Sequence, residues 1–409
     1  MGYFAKTLKG IGYMGALRAF MIGIAVIKVA ILARILTPAQ FGVYGIALLV
    51  LGLLEVLTET GINVFLIQEG ENVKKYLSSA WVVSILRGAL IALVIFLVSG
   101  PVSEFFKNQA ALPLLYLTAL VALARGFVNP MEVSFQKNLQ FGKEFLFRSS
   151  LYIIDAAFAV FLGFLTKSES SMVISMLIAA TIEVILSFVI FKDKPRFEID
   201  KNKFLEVVNR GKWITGAGTF NYLFHNIDNI VIGRVLGVNP LGLYQQAYRI
   251  STLPVAQVGE VFNKVTFPVY VQMGNDKNRI KSAFLRTFLT ILAISLPFAL
   301  ILLIFSRPLI MIFLGEKWLA AEPVLKVLAF FGIFKALATS TYGLFLSIKR
   351  QDIIMYSELL GIIGISASIF PLIHKFGLVG VGYSTIVGAL ASIPPLIIIL
   401  PRILRNEKV

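Results

Sequence analysis

The sequence predicts an all-α protein that crosses a membrane about twelve times, in two six-helix lobes. Three observations carry that expectation. Hydrophobic residues make up 57% of the 409 and charged residues only 15%, with a mean hydropathy of +0.84. A soluble domain carries about 25% charged residues. Apolar stretches of roughly 20 residues recur from end to end, the length needed to span a bilayer. Finally, the residues around position 34 are echoed around position 234.

Taken in order, apolar periodicity places helices at 10–33, 41–67, 77–99, 109–130, 148–166 and 171–191 in a first lobe covering 1–191. A basic stretch, 192–211, is expected to form a cytoplasmic linker. The second lobe, 212–409, takes helices at 212–234, 241–270, 283–306, 321–346, 352–373 and 378–400. Spans of this length leave no room for a soluble catalytic domain. The first apolar segment contains Arg18 and Lys28 and is too long for a cleavable signal. Lysine and arginine set the orientation. The side holding the N-terminus, the linker and the C-terminus carries 23 in its loops, the opposite side 7. Both termini are therefore expected in the cytoplasm, with the chain in the cytoplasmic membrane of a bacterium or archaeon. The net charge of +16 reads as a contact with lipid headgroups rather than nucleic acid. With no cysteine and two histidines, no metal site or cofactor is expected.

The segment ARILTPAQFGVYGIA, 33–47, aligns with GRVLGVNPLGLYQQA, 233–247. Arg34, Leu36, Gly42, Tyr44 and Ala47 match Arg234, Leu236, Gly242, Tyr244 and Ala247 at an offset of 200. Six helices per repeat is an even number, so the halves run in the same orientation, a plan that recurs in alternating-access transporters.

Eight basic residues fall inside predicted helices: Arg18, Lys28, Arg87, Arg125, Arg249, Lys264, Lys326 and Lys335. Such charges cost several kcal/mol in lipid and face protein or a wet cavity. Lys28, Lys264 and Lys326 are near helix ends, where snorkelling accounts for them. Buried acids, among them Glu55, Glu59, Asp155, Glu183 and Asp228, could neutralise the others as an ion-pair network. Several cations on different helices instead suggest an electropositive lumen for an anion, with Arg18, Arg87, Arg125, Arg249 and Lys335 as its binding groups; arginine suits phosphate geometry. Asp228 and Asn226 offer oxygen ligands for sodium, and the like-charged pair Glu55 and Glu59 offers a proton site, so these four are the candidates for Na+ or H+ coupling.

The stretch IDNIVIGRVLGVNPLGLYQQAYRISTLPVAQVGEVFNKVTFPVY, 227–270, with LTPAQFGVYG, 36–45, resembles the polysaccharide transporter family of the MOP superfamily, which includes O-antigen, colanic-acid, teichuronic-acid and capsule repeat-unit flippases. The resemblance implies a V-shaped pair of lobes around a central cavity, acting as a monomer. It implies an undecaprenyl-pyrophosphate-linked glycan as cargo, moved to the outer leaflet for cell-surface polysaccharide, with glycan polymerases and glycosyltransferases as neighbours in the process. Arg18 and Arg249 match positions where the similar lipid II flippases carry cavity arginines; an end after twelve helices rather than fourteen departs from that group. Four alternatives stand beside this reading: a cation-coupled multidrug exporter of the same superfamily, a lipid II flippase, a membrane glycosyltransferase or polymerase, and a non-transporting scaffold. No GxxxxGK[ST] phosphate loop occurs, so the expectation is a secondary transporter and not an ATP-driven enzyme.

Overall fold

The computed structural model describes residues 3–59, 61–68, 73–198, 222–223, 225–273, 276–348 and 350–396. The expected linker 192–211 and the start of the seventh helix lie outside the described residues from 199 to 221. The chain forms two units, Met1–Asn226 and Ile227–Val409. The described residues of both are helical, as lipid requires of a chain that cannot leave backbone groups without partners.

In the first unit, α1 (Tyr3–Ile35) is followed by α2 (Pro38–Leu57), α3 (Ile62–Gln68), α4 (Val73–Phe105) and α5 (Ala111–Gly126). A 3-10 turn (Pro130–Val133), the short α6 (Ser134–Lys137), α7 (Phe141–Thr166) and α8 (Ser170–Ile190) complete it. α4 packs on α5, α1 on α7 and α7 on α8, while α2 and α8 both lean on α5. The second unit holds α9 (residues 225–235, of which the first two belong to the first unit). It continues with α10 (Val238–Met273), α11 (Lys277–Ile304), α12 (Ser306–Phe313), a 3-10 turn (Glu316–Ala321), α13 (Glu322–Ser347) and α14 (Gln351–Ala391). There α13 is the hub, packed on α10, α11 and α14.

The repeat seen in the sequence is present in the backbone. Helix stops at 35 and at 235 and resumes at 38 and at 238. In the first unit Thr37 caps α2, its side chain accepting from Gln40 N while the Gln40 side chain accepts from Thr37 N, a reciprocal capping box. In the second unit Gly237 takes the equivalent place with φ +91°. Further along, left-handed residues end the helices at Lys107 (φ 53°) and Lys167 (φ 48°) in one unit, and at Gly315 (φ 98°) and Gly377 (φ 58°) in the other.

The expected count of twelve spans is not reached among the described residues. Among the described residues eight helices are long and apolar enough to cross a membrane, nine if α5 and the 130–137 segment, bent by 68°, form one span. The difference has physical causes. α14 contains a non-helical Gly377 inside its 41 residues, a length of about 60 Å that is twice a bilayer core. α10 is too polar to pass, and α9 is too short as described. The single helix expected at 41–67 is broken instead: Thr58 donates its hydroxyl to Leu54 O at 2.7 Å, and the chain turns at Gly61 with φ 60°.

Candidate functional site

A cavity of about 640 Å³ opens within the first unit. It is bordered by α2, α4, α5, the 130–133 turn, α7 and α8, and its wall carries Glu55, Glu59, Arg87, Arg125, Glu132, Arg148, Asp155 and Glu183. So much charge inside apolar helices marks a wet compartment.

One wall is built by a close helix crossing. A Cβ on Gly88 would come within 2.8 Å of Ala122 O and 3.0 Å of Gly126 Cα, so α4 and α5 touch through two glycines, as small residues allow in membranes. Each glycine follows an arginine. The crossing therefore sets Arg87 and Arg125 side by side at the end of α2. Arg87 donates from Nη2 to Glu55 O at 2.7 Å and from Nε to Thr58 Oγ1 at 3.1 Å, supplying donors to the C-terminal end of α2. It also lies 3.4 Å from Glu59 Oε2. Arg125 Nη1 donates to Glu55 Oε1 at 2.8 Å. The two carboxylates, Glu55 within α2 and Glu59 just past its end, are thus each matched by an arginine.

The second wall centres on Arg148. Its Nη2 donates to Glu132 Oε2 at 2.8 Å and its Nη1 to Glu183 Oε1 at 2.6 Å. Glu132 reaches it because the chain bends after α5. Asn129, fully buried, accepts from Met131 N at 3.0 Å and so caps the turn; Pro130 occupies the first position of the turn, where it fits. Asn129 also donates from Nδ2 to Asp193 O at 3.1 Å. Beyond this wall, Lys28 on α1 meets Asp155 on α7 at 2.6 Å, and Ser175 donates to the other Asp155 oxygen at 2.8 Å. This bridge replaces the snorkelling expected for Lys28.

The remaining candidates are dispersed. Arg18 on α1 and Arg249 on α10 are exposed, and Arg18 does not border the first unit's cavity. Asn226 donates from Nδ2 to Tyr222 O at 2.9 Å. In the second unit Asp228 is buried; it accepts from Tyr244 Oη at 2.6 Å and from Asn229 N and Nδ2 at 2.7 and 2.9 Å. Lys335 Nζ donates to Tyr248 Oη at 2.9 Å, and the Tyr248 ring lies 6.0 Å from that of Tyr244. The structure thus brings together Arg87, Arg125, Glu55 and Glu59, and separately Asp228 and Lys335 around two tyrosines.

Sequence reasoning missed Glu132 and counted Arg148 among loop cations. The Asn-Pro pair at 129–130 is a turn signal that would have marked the bend on which Glu132 sits.

Comparison with known proteins agrees with this architecture. A family model described as "Polysaccharide biosynthesis protein" matches residues 31–323. The chain is 23% identical to the lipopolysaccharide biosynthesis protein WzxC of Escherichia coli K12 over 351 residues, covering 85% of this chain and 71% of that one. It is 26% identical to the teichuronic acid biosynthesis protein TuaB of Bacillus subtilis 168 over 304 residues, 74% of this chain and 63% of that one. Among solved structures, the lipid II flippase MurJ in an inward closed conformation aligns with a TM-score of 0.72 at 17% identity, covering 96% of this chain and 87% of that one. An inward-facing multidrug resistance MATE transporter of the MOP superfamily aligns with a TM-score of 0.71 at 14% identity, covering 95% and 96%. At these identities the two structures establish a shared fold.

Proposed function

The chain belongs to the polysaccharide biosynthesis protein family, the polysaccharide transporters of the MOP superfamily, and from that membership we propose that it flips a polyprenyl-diphosphate-linked glycan from the cytoplasmic to the outer leaflet by alternating access. The observation that carries this reading is the charged cavity inside apolar helices, a compartment for a polar headgroup that cannot cross lipid unaided. The cargo is a lipid-linked oligosaccharide, undecaprenyl diphosphate being its carrier, which glycosyltransferases supply and a polymerase consumes. The protein acts as a monomer in the cytoplasmic membrane. Arg18 and Arg249 are assigned to the diphosphate, because both are exposed cations within helices. Arg87 and Arg125 are already matched by carboxylates, so they help shape the cavity more than they attract an anion. Asp228 and Lys335 form a second polar centre, where a Na+ or H+ gradient could be coupled.

The test is translocation of a fluorescent polyprenyl-diphosphate glycan in liposomes. Replacing Arg249 with Ala is expected to cut the rate at least tenfold, since a lost charge-assisted contact to phosphate is worth about 1.5–3 kcal/mol. Transport by the mutant at the wild-type rate would remove Arg249 from the reading. A second reading, a cation exporter, is favoured by one observation: carboxylates outnumber arginines on the cavity wall. Efflux of a cationic dye from the same liposomes, without glycan transport, would establish it instead.

A further inference from the structure

Resting on the flippase reading, we infer that the first unit's cavity receives the sugars of the cargo rather than its diphosphate, and that Glu132, Arg148 and Glu183 make it discriminate against acidic sugars. The argument begins with the pairing of charged groups. Two cations on the cavity wall, Arg87 and Arg125, are matched by Glu59 and Glu55, and Lys28 behind the wall by Asp155. Arg148 alone faces two carboxyl groups, Glu132 and Glu183. Among the described residues this leaves one carboxyl group in excess of the cations, located at the Arg148 cluster. A diphosphate entering here would meet that surplus and would have to separate guanidinium groups from carboxylates before gaining a contact, each separation leaving a charge uncompensated.

Sugar hydroxyls meet no such obstacle. Each donates and accepts, so it can bind a paired carboxylate and guanidinium without parting them. Glu132 also has one buried carboxyl oxygen, Oε1, that takes no hydrogen bond in the structure; it is closed off from the cavity space, and a rotation of the carboxyl group brings it within reach of a hydroxyl or an ammonium group that would satisfy it. The volume, about 640 Å³, equals that of about 20 water molecules, room for a sugar and its hydration or for a short oligosaccharide. The order of preference follows from the surplus carboxyl group, which accepts from an ammonium group and repels a second carboxylate: an amino sugar first, a neutral sugar next, a uronic acid last.

The chain has no cysteine, so a thiol placed in the cavity reports on it alone. Ala179 on α8 borders the cavity. Full-length Ala179→Cys protein in detergent is treated with a cationic and an anionic methanethiosulfonate of similar size, with rates normalised to those on a small free thiol. We expect the cationic reagent to react at least tenfold faster, the scale of one unit charge several ångströms away in a medium between water and protein. Glu132→Gln, or Glu183→Gln should the first variant fail to fold, is expected to bring the ratio close to one. Glucosamine is expected to protect the thiol at lower concentration than N-acetylglucosamine, and glucuronate and pyrophosphate least. Faster reaction of the anionic reagent, protection by pyrophosphate or glucuronate equal to that by glucosamine, or no protection by any sugar would each overturn the inference. None of these readouts depends on transport. A selective cavity in a protein that moves no lipid-linked glycan would sink the flippase reading alone.

Discussion

Lys28 and Asp155 show how a charge is kept inside an apolar bundle. Their side chains are only 13% and 21% exposed, 2.6 Å apart, and Ser175 satisfies the second carboxylate oxygen. Removing one partner strands the other, which costs about 3–5 kcal/mol, whereas replacing both with apolar groups is close to neutral. Asp155→Ala is therefore expected to lower the midpoint of thermal unfolding in detergent by many degrees, and Lys28→Met with Asp155→Leu to recover most of the loss. Equal destabilisation by the single and the double change would show that the pair is not the unit of stability. Arg125 and Glu55 provide the contrast. At 2.8 Å their bond is as short, but the side chains are 43% and 37% exposed, and such pairs contribute about 0–1 kcal/mol. Arg125→Ala should accordingly move the unfolding midpoint little, and a drop as large as that of Asp155→Ala would contradict the assignment.

At the scale of elements, the α4–α5 crossing decides where the arginines stand. Gly88 and Gly126 allow backbones to approach until a single added carbon would collide with Ala122 O at 2.8 Å. Gly88→Leu is expected to cost about 1–3 kcal/mol by overpacking, and to draw Arg87 away from the end of α2. The check is a fall in thermal stability that Gly100→Leu, on the same helix with nothing within 4 Å of its Cβ position, does not share. Much of the element plan was legible in the sequence. The hinges at 36–38 and 236–238 carry strong local punctuation, Thr-Pro in one and Gly-Val-Asn-Pro in the other, and the offset of 200 between them is a matter of identity at matched positions. The break at 58–61 was not legible, because what ends α2 is partly remote: Arg87, 32 residues on, supplies the donor to Glu55 O. The Arg148 cluster was hidden for a similar reason. Glu132, Arg148 and Glu183 are spread over 52 positions and meet only after a 68° bend that no hydrophobic period records.

For the whole molecule the proposed direction of transport rests on charge bias. Arg148 is paired with carboxyl groups at the cavity; setting it aside leaves 22 of the 23 basic residues expected on the N-terminal side, against 7 on the other, so the asymmetry survives. Lysine and arginine resist transfer across the membrane during insertion, and the richer side stays in the cytoplasm. On this proposal the short turn at Lys167–Glu169 between α7 and α8 faces outward, and Phe191, at the other end of α8, faces inward. Two fusions test this. Green fluorescent protein joined after Val409 is expected to fluoresce, because it folds in the cytoplasm and not after export. Alkaline phosphatase inserted after Ser168 is expected to be active, because it matures only outside. The reverse pair of results would invert the topology, and with it the direction of the proposed flip: the surface holding the basic linker would become the side on which cargo is released, where lipid-linked sugars assembled in the cytoplasm could not have entered.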